Sequence, residues 1–237
     1  GTANLVAACN RSEVARFVMI STDKVVEPVS IYGASKRIAE ALVLRQPKDR
    51  RAFIVVRFGN VLGSRGSIIP LFKKQILKGG PITLTHPDTT RFFMTIPEAS
   101  SLVLQAGGMG DAGGLYLLDM GEPLRIRDIA EQMVRFYGYE PEVDIRFDVI
   151  GMRPGEKVTE DLYDREERPA PTSFPRINRA EGRQGLVPRV DQIIADLRSI
   201  CFYNPEEPES FRNRRRLRAA LAKYIPTIET KSDEPEY

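Results

Sequence analysis

The stretch that decides the fold of this chain reads Phe17-Val-Met-Ile-Ser21-Thr22-Asp23-Lys24, and Tyr32-Gly-Ala-Ser-Lys36 follows it. Residues 17–21 form an apolar run of strand length, which is typical of a parallel strand that is buried on both faces. Polar residues follow at once, and a helical pattern occupies residues 35–44 and stops before Pro47. A strand, a polar loop and a helix in this order predict an α/β fold.

Tyr32 and Lys36 are the first candidates for chemistry in this stretch. They are four residues apart, so on a helix they lie on the same face, one turn apart. A lysine ammonium beside a tyrosine favours the phenolate, which makes Tyr32 a usable base, and the ammonium can also bond the ribose of a nicotinamide cofactor. Ser21 and Thr22 lie at a strand end, where open parallel sheets bind ligands. Taken alone, the Tyr-x-x-x-Lys pattern is equally consistent with a chance surface pair.

The alternation of strands and helices continues along the chain. Strand patterns occupy residues 52–58, 82–84, 115–119 and 143–149, and helical patterns occupy 2–10, 70–78, 97–105, 126–136, 190–200 and 210–224. We therefore predict parallel strands joined by helices. The Gly- and Pro-rich stretch 79–97 is assigned to a smaller substrate-binding layer, and the Gly-rich stretch 106–114 to a linker turn. Residues from Lys231 onward are expected to be frayed.

Composition excludes several function classes. The 237 residues are 42% hydrophobic and 28% charged, which is ordinary for a soluble globular protein. The net charge of +3 does not indicate a nucleic-acid partner, and a solvated helix face is favoured over an anionic-membrane contact for the basic cluster at residues 212–218. No apolar run approaches the roughly 20 residues of a membrane span. Cys9 and Cys201 suit a reducing cytosol, and the single histidine, His86, argues against a His-based triad or metal site.

Four motifs resemble one enzyme family. They are Ile20-Ser-Thr-Asp-Lys-Val-Val-Glu-Pro28 with Tyr32-Gly-Ala-Ser-Lys-Arg37, Val56-Arg-Phe-Gly-Asn-Val-Leu-Gly-Ser-Arg-Gly-Ser67, Thr90-Arg-Phe-Phe-Met-Thr-Ile-Pro-Glu-Ala99 and Gly151-Met-Arg-Pro-Gly-Glu-Lys157. In this order they resemble the polysaccharide-biosynthesis (CapD-like) family of UDP-N-acetylglucosamine 4,6-dehydratases, which are extended short-chain dehydrogenases. The resemblance implies a Rossmann-like doubly wound parallel sheet and a tightly held NAD(P), with NAD preferred. It also implies a reaction in which hydride leaves sugar carbon 4, water is eliminated across carbons 5 and 6, and hydride returns at carbon 6.

The resemblance assigns the catalytic roles. Tyr32 would take the proton of the carbon-4 hydroxyl, Thr22 would steady that oxygen, and Lys36 would assist the tyrosine. Asp23 would be the acid that protonates the leaving carbon-6 hydroxyl, and Lys24 the base that removes the carbon-5 proton. An ion pair at a solvated strand end is the alternative interpretation of Asp23 and Lys24. Many long, membrane-anchored members have Met in place of Tyr32 although the downstream motifs here resemble theirs, so inversion or retention at carbon 5 stays open.

The resemblance also implies two sets of binding residues. An amide can reach a diphosphate oxygen or a sugar hydroxyl, glycines allow close backbone approach, and guanidinium groups bind phosphate as a bidentate fork. For any single arginine, a surface ion pair is the alternative. The predicted cofactor-binding residues are Ser21, Tyr32, Lys36, Phe58 and Gly59, and the predicted substrate-binding residues are Asn60, Ser67, Arg91, Arg153 and Glu156.

The implied fold needs a Gly-x-x-Gly-x-x-Gly loop for the cofactor pyrophosphate, and this sequence contains none. The chain also begins inside a helical pattern. We therefore expect the C-terminal portion of an enzyme, starting just before strand 4 of the order 3-2-1-4-5-6 and leaving that strand with an unpaired edge. Residues 1–80 would be the remnant of the NAD-binding domain, 81–180 a substrate-binding region interleaved with a strand near 115–119, and 181–237 a helical extension. Alone, such a chain is expected to bind NAD weakly or not at all, and to aggregate or swap.

Two other functions stay open. A nucleotide-sugar 4-epimerase shares the threonine, tyrosine and lysine but does not need the Asp23–Lys24 pair. A non-catalytic nucleotide-sugar-binding or assembly module is the third reading, favoured only by the absent glycine loop. For the complete protein we expect a UDP-sugar substrate, a homo-oligomer, and a location in the cytoplasm or at the cytoplasmic face of the inner membrane. Any membrane association would come from residues upstream of Gly1.

Overall fold

A computed structural model of the chain describes residues 1–47, 51–64, 66–109, 111–182 and 185–228, so the prediction for residues from Lys231 onward lies outside them. The helices are α1 Thr2–Arg11, α2 Ile31–Leu44, α3 Ile68–Ile76, α4 Ile96–Met109, α5 Ile126–Phe136, α6 Val190–Cys201 and α7 Arg214–Ala222. The strands are β1 Arg16–Thr22, β2 Ala52–Phe58, β3 Asn60–Val61, β4 Ile82–Leu84, β5 Thr90–Arg91, β6 Phe93–Met94, β7 Leu115–Leu118, β8 Leu124–Arg125, β9 Phe147–Val149, β10 Glu167–Pro171 and β11 Ile177–Gly182.

The main sheet has five strands in the order β1-β2-β7-β11-β10. Strands β1, β2 and β7 are parallel, which confirms the predicted α/β class, but β11 runs antiparallel to both β7 and β10. The predicted parallel strands are therefore β1, β2 and β7, and the antiparallel pair β10–β11 was not predicted. Residues 167–182 were read as a polar loop because prolines and charges obscure the strand pattern. Pro169 and Pro171 are tolerated in β10 because it lies at the sheet edge.

Strand β1 lies at the opposite edge and pairs only with β2 among the strands that the structure describes. The predicted edge position of this strand is confirmed, but its predicted burial on both faces was wrong. Ile20, for example, is 52% exposed. Helix α1 packs against one face of the sheet, because Val6 of α1 belongs to the same core as Met19 of β1.

The sheet has a core on each face, as a doubly wound fold requires. Every residue of β2 is buried. Phe53 and Val55 pack against α1 and α2, whereas Ile54 and Val56 pack against α4. A third core joins α2 to α6 and α7, so the C-terminal helices cover α2 from outside. A fourth core lies away from the main sheet, between α3, α5, β4 and β9.

Several predicted boundaries shifted for local reasons. Helix α2 begins at Ile31 because the Ser30 hydroxyl accepts a hydrogen bond from the Gly33 amide at 3.0 Å and caps the helix. Helix α4 extends to Met109, so the Gly-rich stretch from residue 106 is helical at its start and not wholly a linker. Strand β9 covers only the end of the predicted 143–149 strand.

None of the helices in the described ranges has the length and hydropathy that a membrane span needs. The predicted division at residues 80 and 180 stays a prediction.

A buried ion triad ties three elements of this fold together. The Arg57 guanidinium of β2 donates to both carboxylate oxygens of Glu40 in α2 at 3.1 and 2.8 Å. It also donates to both oxygens of Glu167 in β10 at 2.6 and 3.2 Å, and to the Leu162 carbonyl at 3.0 Å. Burial alone would lower the pKa of Arg57, but pairing with Glu40 and Glu167 raises it above its ordinary value. The triad therefore holds the guanidinium charged inside the protein.

Replacing Arg57 tests how much this triad contributes to the free energy of unfolding. In the full-length protein, Arg57→Met leaves two buried carboxylates without a cation, and we expect the free energy of unfolding to fall by about 3–5 kcal/mol. Arg125→Met is the control, because Arg125 makes an exposed ion pair with Asp128. That control is expected to cost less than about 1 kcal/mol. Urea unfolding followed by circular dichroism measures both; equal losses for the two variants would contradict the account.

Candidate active site

The loops that follow β1 and β2 meet because the two strands are parallel neighbours. The register pairs Thr22 with Phe58, so residues that follow the two strands lie side by side. The Lys24 ammonium donates to Asp23 Oδ1 at 2.9 Å and to Asn60 Oδ1 at 3.2 Å. The Thr22 hydroxyl donates to the same Asp23 oxygen at 2.8 Å. Four predicted site residues thus form one hydrogen-bonded cluster.

The Asp23 carboxylate is the fully buried member of this cluster. Its second oxygen, Oδ2, has no hydrogen-bond partner among the described residues. That oxygen faces Gly59, where an added Cβ would come within 3.0 Å of it and within 3.0 Å of the Phe92 Cβ. Glycine at position 59 therefore lets the β2 loop close over the acid.

Helix α2 carries Tyr32 and Lys36 to the edge of the same region. The Tyr32 side chain is 55% exposed, and the Lys36 ammonium donates to the Ile20 carbonyl of β1 at 3.4 Å. The helix comes close to the loop after β1 at Gly33, where an added Cβ would lie 2.2 Å from the Lys24 carbonyl oxygen. Only glycine allows this contact, which fixes the distance between α2 and the loop of Asp23 and Lys24.

A cleft of about 650 Å³ opens above the cluster. It lies at the carboxyl ends of β1 and β2, where open parallel sheets bind ligands. Its volume is within the range of small-molecule sites. The predicted site residues that line it are Ser21, Thr22, Lys24, Tyr32, Gly59, Asn60, Ser67, Arg91, Arg153 and Glu156.

Three predicted residues do not line this cleft. Asp23 is buried below it and Lys36 lies against β1. Phe58 belongs to the core on the α4 face, where its side chain packs with Met94 and Tyr116. Cofactor binding by Phe58 stays a prediction.

The two predicted phosphate-binding arginines are in different situations. The Arg91 guanidinium donates to the carbonyls of Thr90 at 2.6 Å, Val158 at 3.0 Å and Lys157 at 2.8 Å. Most of its donors thus hold backbone in place, and diphosphate binding by Arg91 stays a prediction. Arg153 is different because its side chain is 68% exposed at the rim, 4.0 Å from a Glu156 carboxylate oxygen.

The sequence interpretation missed Glu160, which also lines the cleft. Burial is the main cause that raises its pKa, and the negative charge of Asp23 adds to this, whereas Lys24 and Arg91 oppose it. No local pattern could have found this residue. Its position depends on how the segment after the Arg153–Lys157 motif folds back onto the loop after β1, where the Lys157 ammonium donates to the Val26 carbonyl at 2.8 Å.

The residues at the end of β1 fit one end of a nicotinamide cofactor. The buried Ser21 hydroxyl oxygen lines the cleft and has no hydrogen-bond partner among the described residues. Tyr32 is exposed beside it, and the Lys36 ammonium has only a long bond to a carbonyl oxygen in the part of the chain that the structure describes. Such open donors and acceptors suit a ribose and a carboxamide. This sequence contains no glycine loop of the kind that binds the pyrophosphate of the cofactor.

A mixed sheet whose strands β1, β2 and β7 are parallel, with helices on both faces and a cleft at the strand ends, defines the chain as a Rossmann-type α/β protein. The sequence profile of the family "Polysaccharide biosynthesis protein" matches residues 1–182, and the chain belongs to this family. It is 48% identical over 199 residues to the "Capsular polysaccharide biosynthesis protein CapD" of Staphylococcus aureus, covering 83% of this chain and 33% of that protein. It is 37% identical over 171 residues to a UDP-glucose 4-epimerase of Rickettsia canadensis, covering 70% of this chain and 49% of that protein.

Two solved structures show the same fold. Pen from Bacillus thuringiensis superposes with a TM-score of 0.62 at 34% identity, over 68% of this chain and 51% of that one. A dTDP-glucose 4,6-dehydratase of Streptomyces venezuelae with NAD bound superposes with a TM-score of 0.60 at 18% identity, over 95% of this chain and 67% of that one. The chain thus spans about a third to a half of the curated relatives named above.

A pair of glycine substitutions tests the close approach of α2. Alanine normally stabilises a helix interior relative to glycine by about 1 kcal/mol. At Gly33 we expect the opposite, a loss of about 1–3 kcal/mol in the full-length protein, because the methyl group would push α2 off the Lys24 carbonyl. Gly108→Ala in α4 is the matched control, since nothing lies within 4 Å of its added Cβ. Urea unfolding checks both; a Gly33→Ala protein as stable as Gly108→Ala would contradict the contact.

Proposed function

We propose that this chain carries the catalytic part of an NAD-dependent nucleotide-sugar 4,6-dehydratase that acts on UDP-N-acetylglucosamine. The observation that carries the proposal is the bond between the Lys24 ammonium and the buried Asp23 carboxylate at the floor of the cleft. Elimination of water needs an acid and a base on the same substrate, and these two groups are adjacent. Membership of the polysaccharide biosynthesis family supports the same reaction class.

The Asp23–Lys24 bond suggests how the pair becomes ready for elimination. Transfer of one proton along the 2.9 Å bond turns an ammonium and a carboxylate into an amine and a carboxylic acid. The Lys24 amine then removes the proton from carbon 5, and the electron pair of that C–H bond forms the carbon 5–carbon 6 double bond. The hydroxyl on carbon 6 leaves as water after it receives a proton from the Asp23 acid through the Thr22 hydroxyl, which is 2.8 Å from Asp23 Oδ1 and lines the cleft. Asn60 holds Lys24 in position through its amide oxygen.

Tyr32, Thr22 and Lys36 serve the oxidation that precedes elimination. Tyr32 removes the proton of the carbon-4 hydroxyl, and Thr22 positions the oxygen from the end of β1. Bound NAD supplies the hydride acceptor and later the hydride donor. Ser21 and Lys36 would hold its nicotinamide–ribose end from β1 and α2. The ketone formed at carbon 4 acidifies the carbon-5 proton and so prepares it for Lys24.

The rim of the cleft is suited to the nucleotide diphosphate. Arg153 is exposed there and can bind phosphate oxygens, whereas the adjacent Glu156 can accept from ribose hydroxyls. Asn60 and Ser67 would contact the sugar. For the complete protein we expect a homo-oligomer in the cytoplasm or at the cytoplasmic face of the inner membrane.

A nucleotide-sugar 4-epimerase is the second candidate, because the chain is 37% identical to a UDP-glucose 4-epimerase over 171 residues. Epimerisation uses the oxidation at carbon 4 but no elimination. Mass spectrometry of the products from full-length protein and UDP-N-acetylglucosamine discriminates the two. A 4-keto-6-deoxy product lighter by one water is expected, an isomer of unchanged mass would favour the epimerase, and no conversion would favour a binding module.

Substitution of Lys24 tests its role in the elimination step. Lys24→Met removes the proposed base but keeps the side-chain volume, so we expect product formation to fall by about 10²–10⁴-fold. Oxidation at carbon 4 remains, so absorbance of reduced cofactor is expected to build up with substrate. Lys78→Met, at an exposed position after α3, is the control and is expected to match the wild type. Wild-type turnover in Lys24→Met would remove Lys24 from the mechanism.

A further inference from the structure

The β1 turn, Asp23–Val25, carries the proposed acid and base directly after β1. The Val26 amide closes this turn with a hydrogen bond to the Asp23 carbonyl at 3.0 Å. Arg37 attaches the turn to α2, because its guanidinium donates to the Val25 carbonyl at 2.9 Å. A base acts on a substrate proton only when the two are aligned, so the position of this short turn matters for elimination.

Side chains from two distant segments hold the loop that leaves the β1 turn. The Lys157 ammonium donates to the Val26 carbonyl at 2.8 Å, and the Thr227 hydroxyl donates to the Pro28 carbonyl at 2.7 Å. The backbone of Lys157 is itself fixed, since the Arg91 guanidinium donates to its carbonyl at 2.8 Å. The first residue after the turn is thus bonded to an anchored segment on the far side of the cleft.

That anchored segment belongs to the rim of the cleft, where the nucleotide diphosphate is proposed to bind. Arg153, Gly155 and Glu156 line the cleft just before Lys157. The same segment lies against the loop after β1 at a second point, because a Cβ added to Gly155 would come within 3.0 Å of the Ser30 Cβ. Two contacts therefore join the rim to the loop that follows the proposed base.

We propose that Lys157 is a positioning residue that sets the spacing between the rim of the cleft and the β1 turn. This inference rests on the proposed function, in which the rim binds the diphosphate and Lys24 removes the carbon-5 proton. A sugar held through its diphosphate is aligned with Lys24 only if these two parts of the cleft keep a fixed spacing. The bond from Lys157 to the Val26 carbonyl connects them directly.

Direct binding of phosphate is the competing role for Lys157, because lysine is a common phosphate ligand. Two observations argue against it. The ammonium is bonded to the Val26 carbonyl, and Lys157 is not among the residues that line the cleft, whereas its neighbours Arg153 and Glu156 are. The two roles differ in what they change, since a phosphate ligand lowers KM and a positioning residue raises kcat.

Lys157→Met removes the ammonium and keeps a side chain of similar length. In full-length protein with UDP-N-acetylglucosamine, we expect kcat for the 4-keto-6-deoxy product to fall by about 10- to 100-fold through misalignment. KM is expected to change by less than about threefold, because Arg153 and Glu156 remain. Absorbance of reduced cofactor is expected to build up, since oxidation by Tyr32 precedes the step of Lys24. Lys157→Arg keeps a donor of similar reach and is expected to restore most of kcat.

Thr227→Val is the matched control, because it removes one bond to the same loop from a residue that does not line the cleft. Its kcat is expected to stay within about twofold of the wild type, since a single hydrogen bond contributes little to stability. Thermal unfolding of each variant checks that the fold is intact. Lys157→Gln, which is one bond too short to reach the carbonyl in the same way, takes the place of Lys157→Met if that variant is unfolded.

Several results would overturn the role of Lys157. Wild-type kcat in Lys157→Met is one, and a raised KM at unchanged kcat is another, because that is the behaviour of a phosphate ligand. A lower kcat without reduced cofactor would place the defect before elimination, and an equal loss of kcat in Thr227→Val would indicate general loosening of the loop. A wild-type protein that forms no 4-keto-6-deoxy product would instead overturn the proposed function, so the two failures are distinguishable.

Discussion

The arrangement of this protein depends on one buried guanidinium, that of Arg57 in the central strand β2. Its bonds to Glu40 and Glu167 fix α2 and β10 on the same strand, and the bond to the Leu162 carbonyl adds the segment before β10. A buried charge that loses its partners is strongly destabilising, so these elements have little freedom to move apart. Because α2 also carries Tyr32 and Lys36, a core ion triad sets the position of proposed catalytic side chains.

Close backbone packing brings the side chains of the proposed active site together. Gly33 lets α2 lie against the Lys24 carbonyl, and Gly59 lets the loop after β2 close over Asp23. The parallel pairing of β1 and β2 then places Asn60 beside Lys24, although they are 36 residues apart. The segment that carries Glu160 closes the site from the other side through Arg91 and Lys157. The cleft is thus formed by loops that contact one another, and the strands that carry these loops fix their positions.

Local patterns were sufficient to predict most of this arrangement. The apolar run of β2 and the helix pattern after Ser30 are encoded within a few residues, so the α/β class could be predicted. The Asp23–Lys24 pair was predicted from the resemblance to a family. The β10–β11 hairpin was missed because prolines and charges conceal an edge strand. Glu160 was missed because its surroundings come from distant segments, which single-sequence reasoning does not see.

The central claim is that Asp23 and Lys24 carry out an elimination across carbons 5 and 6 of the sugar. Incubating the full-length protein with UDP-N-acetylglucosamine in D₂O tests it most directly. Removal of the carbon-5 proton by Lys24, followed by return of a proton from solvent, predicts a 4-keto-6-deoxy product that carries deuterium at carbon 5. An isomer of unchanged mass without deuterium at carbon 5 would contradict the account.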